Sequence, residues 1–288
     1  MKKLLILIGL FLTLSLSGQL LPGVVASQGG AASYAARSAE YDTVYQAMAT
    51  KPSAINAKYQ DDLVYSLDSA GYWDRTDYLL MFAVEHENAT LINWISPGNN
   101  DADNVSSTAW TQYEGYLGAA GDYISTNWNP TTNGANYTRY SASGGVYVRN
   151  NIQSDIAVYG AAQGTLRFSF YPRTTADLTL ARINTTADLS GATYGTDSRG
   201  MWINTRRADD DIETYKNGTG RDTETDATTG LVDAELYVFR HTALAEYSAY
   251  QVSILFVMDG LTDADAEKVS IIYNRYMTRI GKNVYNNP

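Results

Sequence analysis

The residues able to do chemistry are few and fall in short clusters. Glu85-His86-Glu87 sets two carboxylates two positions apart. On a strand they share a face, with Cα atoms about 6.6 Å apart at about 3.3 Å per residue, a spacing compatible with a retaining glycosidase pair whose carboxyl groups stand about 5–5.5 Å apart. The bland alternative is a solvated turn leading into a helix, with Glu87 near the helix start. Asp209-Asp210-Asp211 is the densest acidic run. Carboxylate oxygens ligate calcium, so Asp209 and Asp211 are the candidate metal ligands, although the run lacks an EF-hand spacing and a charged loop before a hairpin accounts for it equally well. The chain has 2 histidines, His86 and His241, and no cysteine. Thiolate catalysis, cysteine-ligated zinc, iron–sulfur clusters and disulfides are excluded. His241 follows Arg240 at the end of a strand-like run and has no partner motif. No Glu-x-Asp-x-x-Glu strand, G-x-S-x-G elbow, phosphate-binding loop or dinucleotide fingerprint occurs. The expectation is a protein that is not an enzyme and that needs no cofactor, calcium aside.

Aromatic residues carry the remaining signal. The chain holds 23 Tyr against 6 Phe and 5 Trp. Trp128, Tyr137, Tyr140 and Trp202, with Tyr171, lie in or beside segments rich in Asn, Thr and Gly. Such rings stack on the C–H faces of sugars while their polar atoms stay wet, which makes Trp128, Tyr137, Tyr140 and Trp202 the candidate glycan-binding residues. The same rings would serve a sandwich core or an oligomer interface. With 31 acidic and 21 basic residues the net charge is −10, against the basic face that phosphate neutralisation requires. Nucleic acid is therefore not an expected partner.

These residues need a scaffold, and the hydrophobic pattern describes one. Tyr41, Val44, Tyr45 and Met48 recur at helical spacing, as do Ile55, Tyr59, Leu63 and Leu67. Leu79 to Val84 is apolar but too short to type, and 88–95 reads as a short helix closed by Ser96-Pro97-Gly98. Beyond Pro97 the texture changes to strands between polar turns. Candidates are Gly145–Arg149, Asp155–Tyr159, Leu166–Tyr171, Leu178–Leu180, Met201–Thr205, Leu236–Phe239 and Val252–Met258. The last is apolar nearly throughout, as a strand covered on both faces should be. A final helix starts at the Thr262 cap and carries Ala266, Val269, Tyr273, Tyr276 and Ile280 on one stripe, expected to cover one edge or end of the sandwich. The chain thus divides into a leader-like segment over 1–26, a linker over 27–38, a helical region over 39–98 and a β-sandwich over 99–288.

The leader-like segment pairs Lys2-Lys3 with an apolar run from Leu4 to Leu16, and Val24-Val25-Ala26 offers a cleavage site. Residues 4–26 are also long enough to cross a hydrocarbon layer of about 30 Å, or to serve as an assembly tail.

Two resemblances sharpen the reading. Ile212-Glu213-Thr214-Tyr215-Lys216-Asn217-Gly218, and the run Val252–Met258 followed by Asp259-Gly260-Leu261-Thr262-Asp263-Ala264-Asp265, resemble the strand–hairpin element and the last strand of laminin-G and concanavalin-like jelly rolls. Asp77-Tyr78-Leu79-Leu80, Glu85-His86-Glu87-Asn88-Ala89, Tyr140-Ser141-Ala142-Ser143 and Tyr276-Met277-Thr278-Arg279-Ile280-Gly281 are similar to segments of uncharacterised phage and prophage proteins associated with tails or virions. The resemblance would span about residues 38–285. It implies a mainly β fold, an antiparallel jelly-roll sandwich of the concanavalin-like lectin type with a small N-terminal helical region and a C-terminal helix. It also implies a non-catalytic virion-associated structural or host-attachment protein whose partners are other virion proteins, further copies of itself, or a cell-surface glycan. A secreted or membrane-anchored glycan-binding adhesin is the alternative, and a glycan-cleaving enzyme the third reading.

Overall fold

The computed structural model describes residues 37–186, 196–241 and 246–286; the leader-like segment and residues 27–36 of the linker lie outside them. Helices α1 (Ala39–Ala47) and α2 (Ala54–Ser69) lead into strand β1 (Thr76–Met81). Four short strands follow, β2 (Asp103–Asn104), β3 (Ala109–Thr111), β4 (Gly115–Leu117) and β5 (Ile124–Ser125), and then the single turn α3 (Pro130–Asn133). The longer strands are β6 (Ala142–Val148), β7 (Tyr159–Gln163), β8 (Leu166–Tyr171), β9 (Leu180–Thr185) and β10 (Gly200–Ala208). After them come β11 (Asp211–Lys216), β12 (Thr219–Glu224), β13 (Tyr237–Val238), β14 (Gln251–Met258) and helix α4 (Asp263–Arg279).

The strands form two antiparallel sheets, the jelly-roll sandwich that the resemblance implies. The larger runs β12-β11-β10-β6-β14-β4-β3, with β1 beside β4 along the same edge of β14; the smaller runs β2-β5-β13-β7-β8-β9. Alternation along β14 explains why the segment is apolar throughout. Leu255 and Val257 point into the sandwich with Val146, Phe168, Phe170 and Val238. Ile254, Phe256 and Met258 point the other way, into a second core with α1, α2 and α4. Phe256 stacks on Tyr273 of α4 at 5.2 Å between ring centres, and the Tyr147 hydroxyl donates to Asn274 Oδ1 at 3.0 Å. The chain is therefore three layers deep: helices, large sheet, small sheet.

This arrangement corrects the expected boundaries. Residues 39–98 are not a separate helical region, because β1 lies within them and pairs with β14 from Thr76↔Met258 to Met81↔Ile254. The described residues, from 37 onward, form one compact unit. Helix α4 covers a face of the large sheet, not an edge or end, because its stripe meets a surface already apolar on β14 and β10. Only Glu87–Ala89 forms a helical turn, a 3-10 one, in the stretch expected to be helical over 88–95. Strand β7 begins at Tyr159, where the expected strand Asp155–Tyr159 ends; Asp155 instead anchors a loop, its carboxylate accepting from Thr175 N and Thr175 Oγ1 at 2.9 and 2.6 Å.

Two local expectations hold in the structure. Asn217 and Gly218 turn the β11–β12 hairpin at φ 55° and 81°, the pair of positive values that a two-residue turn of this hand demands. Thr262 caps α4 by accepting from Asp265 N, while the Asp265 carboxylate accepts from Thr262 N, a capping box.

Candidate functional site

Three of the four rings chosen from sequence are core. Trp128, Tyr137 and Trp202 are 1%, 1% and 0% exposed. Trp128 meets Tyr137 edge-on at 5.7 Å, and Trp202 packs on Phe170 at 5.5 Å. A sugar cannot reach rings enclosed between the sheets, so these residues serve packing. Polar sequence neighbours do not keep a ring exposed: Trp202 lies within strand β10, and its ring turns into the sandwich core. Tyr171 is likewise buried. Tyr140 alone is exposed, at 47%, with the Arg139 guanidinium 5.0 Å from its ring centre.

The calcium candidates are engaged by the protein's own donors. The Asp211 carboxylate takes a two-pronged contact from Arg207, Nε to Oδ2 at 2.9 Å and Nη2 to Oδ1 at 3.0 Å. Asp209 Oδ1 accepts from Thr228 N at 3.0 Å. Their oxygens are bonded to the protein's own donors, and among the described residues no cluster of acidic and histidine side chains has the arrangement of a metal site. Glu85 and Glu87 lie in a turn and a helical turn, not on a strand. Glu85 Oε2 accepts from Ser53 N at 2.6 Å and Asn56 Nδ2 at 3.0 Å. Partial burial raises the Glu85 carboxyl, but these hydrogen bonds outweigh it and hold it below the usual carboxylate range. It is a fastening between helix layer and loop.

A different surface gathers the residues that can bind. On the small sheet, register places Tyr237, Gly160, Ser169 and Arg182 side by side on four neighbouring strands. The adjacent row, Val238, Tyr159, Phe170 and Ala181, is buried in the sandwich, so by alternation the first row faces outward. Arg240 follows β13 and sits among three half-buried tyrosines. Its guanidinium carbon lies 4.7, 5.3 and 5.4 Å from the ring centres of Tyr123, Tyr237 and Tyr247. Tyr123 lies 5.3 Å from Tyr237 and 6.3 Å from Tyr247 between ring centres. Glu235 closes one flank, accepting from Asn127 N at 3.0 Å and from the Ser125 hydroxyl. Burial, and then Glu235, raise the Tyr237 hydroxyl above its ordinary range, so Tyr237 stays a neutral phenol at all ordinary pH.

The next residue, His241, is buried and leans over Gly160. Arg167 Nη1 lies 3.2 Å from His241 Nδ1. A guanidinium only donates, so the ring nitrogen facing it is the acceptor and the imidazole is neutral. Burial first, and then the charges of Arg167, Arg182 and Arg240, lower the His241 pKa from the usual 6.5 to about 4. Tyr123, Tyr237, Tyr247, Arg240, Arg167 and His241 were missed as site residues because they come from separate strands and loops. The single sequence signal was the Arg240-His241 pair after a strand.

A scan against protein-family models finds no match, and no curated protein matches the sequence. Solved structures do share the sandwich. A mutant of Trypanosoma rangeli sialidase displaying trans-sialidase activity superposes with a TM-score of 0.50 at 10% identity, over 77% of this chain and 39% of that one. The binding domain of botulinum neurotoxin DC, solved with rat synaptotagmin II, gives 0.50 at 15% identity over 71% and 52%. Domain 4 of an extracellular GH43 arabinanase from Geobacillus stearothermophilus, in complex with arabinotriose, gives 0.48 at 14% over 68% and 98%. The chain thus spans about two fifths of the sialidase and half of the toxin domain's structure. At these identities the likeness concerns the fold.

Proposed function

We propose that this protein is a non-catalytic glycan-binding sandwich that serves attachment, and that the tyrosine cluster around Arg240 on the small sheet is its recognition surface. The observation that carries the reading is the cluster itself: Tyr123, Tyr237 and Tyr247 keep partly open faces while Arg240 holds them together from within. Phenol rings offer flat apolar faces to sugar C–H groups and hydroxyls to sugar oxygens. An arginine already stacked on rings is pre-organised to donate to a ligand. The lectin-like sandwich supports the same reading as a scaffold, since loops and strand ends of such folds present sites without rearranging the core.

A single ring of this kind contributes about 1 kcal/mol, a several-fold change in affinity. One weak site does not hold a cell surface, so the protein acts as a homo-oligomer that gains by avidity. The sequence resemblance to virion-associated proteins supports a place on a virus particle. The apolar run Leu4–Leu16 supports the second reading, an exported adhesin with the same site. Binding of the full chain to a glycan array tests the common claim. Tyr123→Ala and Tyr237→Ala should weaken every positive signal several-fold with the melting midpoint nearly unchanged. Signals untouched by both variants would remove the cluster from the site, and new reducing ends released from a bound polysaccharide would make the protein an enzyme. Co-purification with virus particles separates the virion from the adhesin.

A further inference from the structure

We propose that Arg167, with His241 beside it and Ser169 two residues along the same strand, forms an oxyanion subsite next to the tyrosine cluster, so that the glycan bound there carries a carboxylate or a sulfate; the identity of the ligand as a glycan rests on the reading above.

Arg167 is half-buried on β8. Among the described residues its only hydrogen-bonding partner is the neutral His241 ring, contacted through Nη1, and no carboxylate lies within ion-pair distance of it. A guanidinium has five N–H donors in a planar fork that fits carboxylate or sulfate oxygens. A neutral imidazole satisfies part of that fork and leaves its charge uncompensated. The same holds for Arg240, whose partners are the three tyrosine rings and the His241 carbonyl. Arg182 stands in the same outward row as Ser169, and it is depressed from the usual arginine range by burial, then by the charge of Arg167. Arg167 and Arg240 thus bring positive charge to this face of a protein whose net charge is −10.

Ser169 adds an independent sign. It is 1% exposed, and its Oγ has no hydrogen-bonding partner among the described residues. A buried hydroxyl left unpaired is costly to the fold. It sits in register between Gly160 and Arg182, on the strand that carries Arg167. Gly160 has no side chain, which leaves the room that His241 occupies. A donor hydroxyl two residues along the strand from an uncompensated guanidinium suits an oxyanion, and a neutral sugar would leave that charge unanswered.

The test uses one backbone in three charge states. Dextran, carboxymethyl dextran and dextran sulfate are titrated against the full chain at low salt, as are free acetate and sulfate followed by tyrosine fluorescence. The same series is run on Arg167→Gln, on Ser169→Ala, and on Arg275→Gln, an exposed control on α4. The expected result is tenfold or more tighter binding of at least one charged dextran than of dextran. Arg167→Gln should bring that polymer back to the neutral level, and Arg275→Gln should change nothing. Ser169→Ala should weaken the charged polymer severalfold while the melting midpoint holds or rises, which a purely structural hydroxyl does not explain. Preference for one charged dextran assigns the group. Saturable binding of a free anion, abolished in Arg167→Gln, with no dextran bound, keeps the subsite and removes the saccharide. Absence of any charge preference, or one equal in Arg167→Gln and Ser169→Ala, overturns the subsite and leaves the glycan reading standing on neutral binding.

Discussion

The side chain of His241 leans so closely over Gly160 that a Cβ on residue 160 would come within 2.6 Å of the His241 Cβ and 3.2 Å of the Ser169 Cβ. Both neighbours are held by backbone, so neither swings aside. Gly160→Val should therefore destabilise by about 1–3 kcal/mol through overpacking and push His241 and Arg240 off the sheet. Thermal unfolding reads the first effect, and loss of glycan binding alongside a folded circular-dichroism spectrum reads the second.

Acid should weaken the fold through His241. Its folded pKa, about 4, lies below the usual 6.5, so as pH falls the unfolded state takes up the proton first. The stability contributed by the neutral buried ring is complete above pH 6.5 and declines between there and about 4, by at most about 1.4 kcal/mol per pH unit. Carboxylates held low by partners act in the same direction at lower pH; Glu114, lowered first by its hydrogen bond from Lys282, is one. Denaturant midpoints from pH 7 to pH 4 should show a shallower slope in His241→Asn than in the parent. Equal slopes would mean that the ring is protonated in the native protein.

Core rings and site rings should separate cleanly. Trp128→Ala and Trp202→Ala each empty a space enclosed between the sheets and should cost about 3–5 kcal/mol. Tyr237→Ala removes a partly open ring and should cost less than about 1 kcal/mol while reducing binding. A chemical-denaturation series paired with binding isotherms distinguishes the two classes. A strongly destabilised Tyr237→Ala would place that ring in the core.

The β11–β12 turn offers the sharpest backbone test. Gly218 has φ 81°, and a Cβ there would lie 3.0 Å from the Glu267 Cα of helix α4. Gly218→Val meets strain in the backbone and contact with a helix at once, so a loss of about 1–3 kcal/mol is expected. Gly164, also at positive φ but with open space around its Cβ position, should lose less on the same substitution. The comparison of the two midpoints isolates the contact from the strain.

Much of the scaffold was legible because local chemistry dictates it. Asn217-Gly218 specifies a tight turn of one hand, Thr262 and Asp265 specify a helix start, and Leu166–Tyr171 alternates as a strand must, although both its faces are buried from Phe168 to Tyr171. Val252–Met258 announced a strand covered on both faces. Strands without an apolar signal were hidden: β7 reads Tyr-Gly-Ala-Ala-Gln, and β12, with no apolar residue, is an edge strand held by backbone pairing to β11. The binding surface was hidden for a different reason. Sequence alone established that the chain is acidic, rich in tyrosine, free of cysteine and patterned as a sandwich. Whether a given ring faced outward or into the core depended on which strands became neighbours. Trp128 and Trp202 lie in polar stretches yet end between the sheets, while Tyr123, Tyr237 and Tyr247 meet around Arg240 only because β13 pairs with both β5 and β7. Periodicity reports which face of its own element a residue occupies; the tertiary pairing decides what that face meets.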